Sequence, residues 1–309
     1  MKFYYGVSAI NIEVTDYVLS NLVKNNIIMI PTGDLNRGSL FTDPIVGIHK
    51  FFIIKDEFNN NTSYDEYINV YIDTTNNSVY TSKMNVPQYI MDIYPLSSKE
   101  KLLNIHTKLK IDFGSLKDEF PEQLMATTYL KGDEKILEIG GNIGRNSLVI
   151  ASILNDDTQL VSLECDSNIA QKLVHNRDLN NMHFFIESSA LSKRKLIQQG
   201  WDTIASDVLL DGYKEVNSIT WVELNNKYNI DFDTLVLDCE GAFYYILQDM
   251  PEVLNNIKLI IMENDYHVLE NKQYVDKVLT EQGFIRDYFE AGGWGPCYNN
   301  FFEVWVKNV

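Results

Sequence analysis

From Lys135 onward, runs of consecutive apolar residues alternate with segments of helical period. The strand candidates are KILEIGG (135–141), QLVSLEC (159–165), HFFIESSA (183–190), TLVLDCEG (234–241), IKLIIMEN (257–264), IRDYFEA (285–291) and CYNNFFEVWV (297–306). Most of the first five are unbroken apolar runs, as strands buried on both faces of a parallel sheet require. SLVIASIL, SNIAQKLVHNRDL, FYYILQDMPEVL and QYVDKVLTEQ lie between them with helical spacing. Repeated βα units predict an open α/β sheet. The last two strands have no helix between them and read as an antiparallel hairpin at the sheet edge.

Upstream the pattern differs. Short β-rich runs at Phe3–Val14, Ile27–Ile30, Gly47–Lys55, Tyr67–Asp73 and Ser78–Ser82 are separated by the turn formers PTGD, TDP, EFNNN and TTNN. Only Thr15–Lys24, through Val18, Leu19, Leu22 and Val23, has the spacing of a short helix. Residues 1–96 therefore read as a small, mainly β module. Residues 97–130 read as a helical connector, with a capped start at Ser97/Ser98 and a second short helix after Pro121 that stops at Gly132. Residues 131–309 form the α/β domain.

Length agrees with this division, since 309 residues exceed what one core usually fills. Charge narrows the partners. The formal net charge is −17, of which residues 1–96 carry 6 basic and 10 acidic groups, so −13 belongs to the remainder. Such a surface repels phosphate backbones and anionic lipid, so neither nucleic acid nor membrane is expected as a partner, and a neutral acceptor is. No apolar run approaches the ~20 residues of a spanning helix, and Glu13 and Asp16 come too early for a secretory h-region. Cys165, Cys239 and Cys297 are scattered, which indicates no disulfide or zinc framework. A soluble cytoplasmic protein is expected. Abundant Asn, Ile, Lys and Tyr with scarce Arg is the bias of an AT-rich coding sequence, so Asn runs such as 59–61 mark loops.

The chemistry concentrates at the carboxyl ends of the predicted strands. In KILEIGGNIGRNSLVI a buried strand ends at Glu138, and Gly140 and Gly144 frame a turn into a helix. Glycines there admit a close ligand, and the helix N-terminus offers free N–H groups. The spacing E-x-G-x-x-x-G differs from the dinucleotide pattern and suits S-adenosylmethionine; a purely structural turn is the alternative. Glu164 ends the next strand, where an acid accepts hydrogen bonds from ribose hydroxyls, unless it caps the following helix, a task open also to Asp166 or Ser167. The third strand runs into Ser188, Ser189 and Ala190, small residues that permit an adenine ring nearby. Asp238, Glu240 and Gly241 leave the fourth strand, and Glu263, Asp265 and His267 the fifth. These carboxylates and the imidazole could orient a hydroxyl, act as base or hold a metal, or be a solvated loop cluster.

Taken together, ILEIGGNIGRNSLVIASIL, LVSLECDSN, TLVLDCEGA and IIMENDYH resemble the FkbM-type S-adenosylmethionine-dependent methyltransferases, most of all the sugar-O-methylating domains that large DNA viruses attach to glycan-building enzymes. FPEQLMATTYLKGDEK and AGGWGPCYNNFFEVW extend the resemblance to about residues 118–309. It implies a class I methyltransferase fold with a mainly parallel seven-stranded sheet and the last hairpin strand inserted antiparallel. In that family's pattern Glu138, Gly140, Gly141, Asn142 and Gly144 match the glycine turn, and Glu164 the ribose acid. Asp238, Glu240 and Gly241 match its D-x-E-G, and Glu263 the acid after strand five. Many members have Asp and Ala where this chain has Glu138 and Gly141. Many also have an acid where this chain has Phe243, which weakens any metal-centred mechanism, and no metal ligands are assigned.

The resemblance implies methylation of a sugar hydroxyl on a glycan or nucleotide sugar, in the cytoplasm of an infected host cell if the source is viral. Asp238 or His267 would take the hydroxyl proton, with Glu240 and Glu263 fixing the substrate. Ser189 and Ala190 would border the cofactor, and Trp201, Tyr266 and Trp294 would bracket a sugar ring. A non-sugar small molecule or a protein as acceptor, or a non-catalytic glycan-binding scaffold, are the competing readings. In the N-terminal module, Asp34, Asn36 and Arg37 of PTGDLNRGSLFTDP read either as a sugar- or diphosphate-binding loop or as a self-bonded turn in which Arg37 pairs Asp34 or Asp43. The bland reading of that module is homo-oligomerisation or docking.

Overall fold

Strand alternation in the first residues already builds a core. Phe3 and Tyr5 of Lys2–Gly6, Ile28 and Ile30 of Ile27–Ile30, Phe52 and Ile54 of Phe51–Lys55, and Val70 and Ile72 of Val70–Asp73 share one face of their strands and bury together, while Ile27 and Tyr71 on the other face join a second cluster. The computed structural model describes residues 1–82, 84, 86–200 and 202–307, and it divides the chain into units Met1–Ser97 and Ser98–Val309. The first unit holds two four-stranded antiparallel sheets.

Two sequence expectations for that unit change. Asn61–Asp65 pairs as an edge strand with Phe51–Lys55, although Asn61 closes a run that reads as a turn. Residues Asp34–Phe41 form a helix, where turn formers suggested a loop. Arg37 on that helix is fully buried. Its Nε donates to the Pro31 carbonyl at 2.8 Å, Nη1 to Tyr64 at 3.1 Å and Nη2 to Ile68 at 2.7 Å. The guanidinium staples three backbone segments, its donors spent on their carbonyls. Lys50, also buried, pairs Asp34 and Asp43 at 3.0 and 3.1 Å in its place.

The second unit opens with helices α1 (Ser98–His106) and α2 (Phe120–Tyr129). Its sheet comprises β1 (Ile136–Ile139), β2 (Leu160–Leu163), β3 (Phe185–Glu187), β4 (Thr234–Leu237), β5 (Leu259–Glu263), β6 (Phe284–Glu290) and β7 (Phe302–Lys307). Helices α3 (Arg145–Ile153), α4 (Ser167–Leu179), α5 (Trp221–Tyr228), α6 (Phe243–Asp249) and α7 (Leu269–Glu281) connect them. The strand order is β3-β2-β1-β4-β5-β7-β6, with β7 antiparallel to both neighbours and the other pairs parallel. This is a Rossmann-like α/β unit whose order reverses between β1 and β4, the place where open sheets of this kind take ligands at their carboxyl edge. The hairpin read at the sheet edge is present, with its second strand inside.

Each face of the sheet has its own core. Leu137, Ile139, Val161, Leu163, Leu235 and Leu237 pack with α5, α6 and α7 residues on one face. Ile136, Leu160, Val236 and Ile261 pack with α2, α3 and α4 on the other. Under β7, fully buried Glu303 accepts from Lys272, Arg286, Asn300 and Trp305, so its charge is neutralised in place. Between β3 and β4 the chain inserts a three-stranded antiparallel sheet (Leu196–Gln199, Asp202–Ala205, Lys214–Val216) that the sequence pattern did not announce.

Candidate active site at the carboxyl edge of the sheet

The turn after β1 is dictated by packing. Gly140 has φ +94°, and a Cβ there would lie 1.5 Å from the Asp238 carbonyl oxygen; Gly144 has the same φ, and its Cβ would meet Leu173 at 2.4 Å. A Cβ on Gly141 would strike Ser162 Oγ at 2.1 Å. The chain itself fills the space these glycines leave. Glu138 is 2% exposed and accepts from the Ser147 and Ser162 hydroxyls, the latter at 2.6 Å. Burial pushes its carboxyl up to about 7. Glu138, Gly141 and Gly144 thus lie outside the cavity that Gly140 and Asn142 border.

That cavity, of about 560 Å³, runs along the carboxyl ends of β1, β2 and β4, a volume usual for small-molecule sites. Glu164 lines it, with both carboxylate oxygens fixed by backbone: Asn142 N–H donates to Oε2 at 3.0 Å and Asp166 N–H to Oε1 at 2.7 Å. The α4 cap falls to Asp166, which accepts from Asn168 and Ile169 N–H. Burial raises the Glu164 carboxyl above its ordinary range. Ser189 and Ala190 border the cavity too, and Ser189 Oγ donates to Glu187 at 2.9 Å. The inserted sheet adds Leu196, Gln198, Thr203, Ile204 and Ala205 to the wall. Sequence reasoning missed this wall, since its strands are short and half-exposed.

Asp238 and Glu240 line the same cavity from β4. Glu240, at φ +50°, and Gly241, at +74°, form a left-handed turn held by Asp265, whose carboxylate accepts from their N–H groups at 2.6 and 2.9 Å. Burial and nearby Glu240 push the Asp265 carboxyl up to about 7. Burial raises Asp238 well above the usual carboxylate range, and Asp265, Glu119, Glu122 and Glu240 add to the effect. Two of these acids, Glu119 and Glu122, come from the start of α2 and were not singled out in the sequence. Glu119 sits at φ +59° and pairs Arg145 at 2.5 Å. Glu122 lies beside Glu263, whose carboxyl is driven far up by burial and by that neighbour. Among the described residues no group of three or more His, Cys, Asp and Glu side chains is arranged to hold a metal.

The expected aromatic bracket is dispersed. Tyr266 is 4% exposed and belongs to the core, its ring against Gly241. Trp294 is 41% exposed and packs on His267 with ring centroids 4.5 Å apart. Trp201 lies outside the described residues. His267 is exposed; burial raises the Glu240 carboxyl above its ordinary range, and nearby His267 offsets part of that rise. No helix among the described residues is long and apolar enough to cross a membrane.

No protein-family model matches the chain, and neither does any curated protein. Among solved structures, the chain is similar to an O-methyltransferase of Bacillus cereus in complex with SAH, at 18% identity over 73% of this chain and 99% of that one, with a TM-score of 0.39. A ribosomal protein L11 methylase of Lactobacillus delbrueckii subsp. bulgaricus matches at 11% identity over 64% and 82%, TM-score 0.39. A protein in the NADB-Rossmann superfamily from Streptococcus agalactiae matches at 10% identity over 60% and 67%, TM-score 0.38. Likenesses at these scores carry no argument about the activity.

Proposed function

We propose that this chain is an S-adenosylmethionine-dependent O-methyltransferase acting on a sugar hydroxyl of a glycan or nucleotide sugar. The observation that carries the reading is one cavity bordered by both a backbone-fixed acid, Glu164, and a buried acid of raised pKa, Asp238. A carboxylate with each oxygen already aligned by an N–H group suits a pair of ribose hydroxyls. The residues present fit the cofactor in two further respects. The volume of about 560 Å³ admits a nucleoside with an amino-acid tail. The excess of acids near Asp238 complements the ammonium and sulfonium charges of such a ligand.

When bound, S-adenosylmethionine supplies a methyl group on positively charged sulfur. The protein's share is positioning and proton transfer. Asp238 borders the cavity and, with its raised pKa, is the stronger candidate to accept the hydroxyl proton. His267 is exposed beside Trp294, where it would meet an acceptor resting on that indole. Asp265 holds the Glu240–Gly241 turn and thereby aims the β4 acids.

Titration calorimetry with S-adenosylmethionine tests the cofactor, and a mass-spectrometric screen for a gain of one methyl group on nucleotide sugars and short glycans tests the acceptor. Absence of cofactor binding would sink the enzyme reading. Binding without transfer to any sugar would turn the reading toward a non-sugar acceptor or a scaffold.

A further inference from the structure

A polar group in the cavity wall lacks a partner among the described residues. Gln198, on the central strand of the inserted sheet, is 5% exposed, and its Oε1 is buried with no hydrogen bond to any described residue. Among the described residues its Nε2 faces Cys165 Sγ, at 3.6 Å, and sulfur is a weak acceptor. Buried amide oxygens are nearly always paired, so an orphan in a cavity wall marks where a ligand donor belongs. Cys165 follows Glu164 directly and lines the same cavity. A ligand whose ribose hydroxyls meet Glu164 therefore carries its base toward Cys165 and Gln198. Leu196 and Ile204 of the insert border the cavity there and offer apolar surface to a flat ring.

A carboxamide presents an acceptor and a donor in one plane, and adenine presents the complementary amine and ring nitrogen. We propose that Gln198 reads the adenine of bound S-adenosylmethionine, Oε1 accepting from the exocyclic amine and Nε2 donating to the adjacent ring nitrogen. Base specificity then resides in the inserted sheet and not in the seven-stranded one. This inference rests on the cofactor reading above.

The test is calorimetry on the full chain with S-adenosylhomocysteine and with its counterpart lacking the exocyclic amine. Wild type should prefer the adenine compound by about tenfold or more. Gln198→Met should remove that preference by weakening the adenine compound alone, and Gln198→Glu, which keeps the acceptor and loses the donor, should retain part of it. A preference unchanged in Gln198→Met, or equal weakening of both ligands, overturns the proposal. Should Gln198→Met not fold, as judged by circular dichroism, the wild-type ratio decides: equal affinities overturn the proposal while leaving the cofactor reading intact. Failure of wild type to bind either compound sinks both.

Discussion

The two sides of the sheet's carboxyl edge treat their carboxylates in opposite ways. On the β1–β2 side Glu164 and Glu138 have neutral donors: Glu164 two backbone N–H groups, Glu138 two serine hydroxyls. On the β4–β5 side acids face acids: Glu122 meets Glu263, and Asp238 lies among Asp265, Glu119, Glu122 and Glu240. Arg145, at the start of α3, is paired with Glu119. Burial raises the acids on both sides, but on the first the hydrogen-bond donors offset part of it. On the second, neighbouring acids add to burial, so that side gains most from a proton or from a positively charged ligand, which is where proton transfer is served best.

The largest break in this contrast should come from Asp238→Asn. If Asp238 takes the acceptor proton, turnover falls about 10²–10⁴-fold while the calorimetric affinity for S-adenosylhomocysteine changes little. Because its pKa is raised, the wild-type rate should climb with pH as the carboxyl ionises, and that rise should be missing in the variant. His267→Ala measured alongside separates the two candidate bases. Full activity in both would leave neither as the base. Glu164→Gln should show the reverse pattern. Exchanging one charged acceptor oxygen for an amide nitrogen should weaken cofactor binding about 10–100-fold, with turnover at saturation less affected.

A smaller effect should appear in stability. Glu263 has a folded pKa far above its ordinary value, so the folded state binds more protons than the unfolded state once pH exceeds the unfolded pKa. Its contribution therefore favours folding at low pH and is lost as pH rises toward the folded value. Glu263→Gln should gain on wild type as pH increases from about 5 to 8, by at most ~1.4 kcal/mol per unit, in urea unfolding. A constant difference between the two proteins would mean that Glu263 titrates normally and that the acids at β5 do not repel.

Much of the fold was legible because both faces of the sheet are covered. Continuous apolar runs marked β1, β2, β4 and β5, and the missing helix before β7 marked the hairpin. The inserted sheet was not legible, since Leu196–Gln199 and Asp202–Ala205 are short and mix polar with apolar residues. Helix α5 carried a sign that was passed over: Thr220 and Glu223 form a capping box, readable as T-x-x-E. Site residues on strand ends were found because βα turns announce themselves through glycine and acid. Glu119 and Glu122 were not, because their place beside Asp238 depends on how α2 packs across β5, a contact of long sequence separation. Tyr266 illustrates the opposite error: an aromatic next to an acid cluster looks like a sugar platform until packing turns its ring into the core.

Glu138 offers the smallest and sharpest test. Strand alternation already places it on the face opposite Leu137 and Ile139, with Ile136 toward α3, while Ile139 borders the cavity. Its Oε2 takes both hydroxyl bonds, and a glutamine carbonyl oxygen can accept the same pair. With the carboxyl pushed up to about 7, a good fraction is already neutral at physiological pH. Glu138→Gln should therefore leave S-adenosylhomocysteine affinity unchanged and, at about pH 4 where the wild-type carboxyl is protonated in the folded state, shift stability by no more than about 1 kcal/mol. Wild type should fall behind the variant as pH rises from about 4.5 to about 7, where the folded carboxyl gives up its proton. Weakened cofactor binding comparable to that of Glu164→Gln would overturn the division. The acid of the glycine turn would then serve the ligand directly, as its place in the motif suggests, and the β1–β2 side would hold two ligand acids instead of one acid for the ligand and one for the fold.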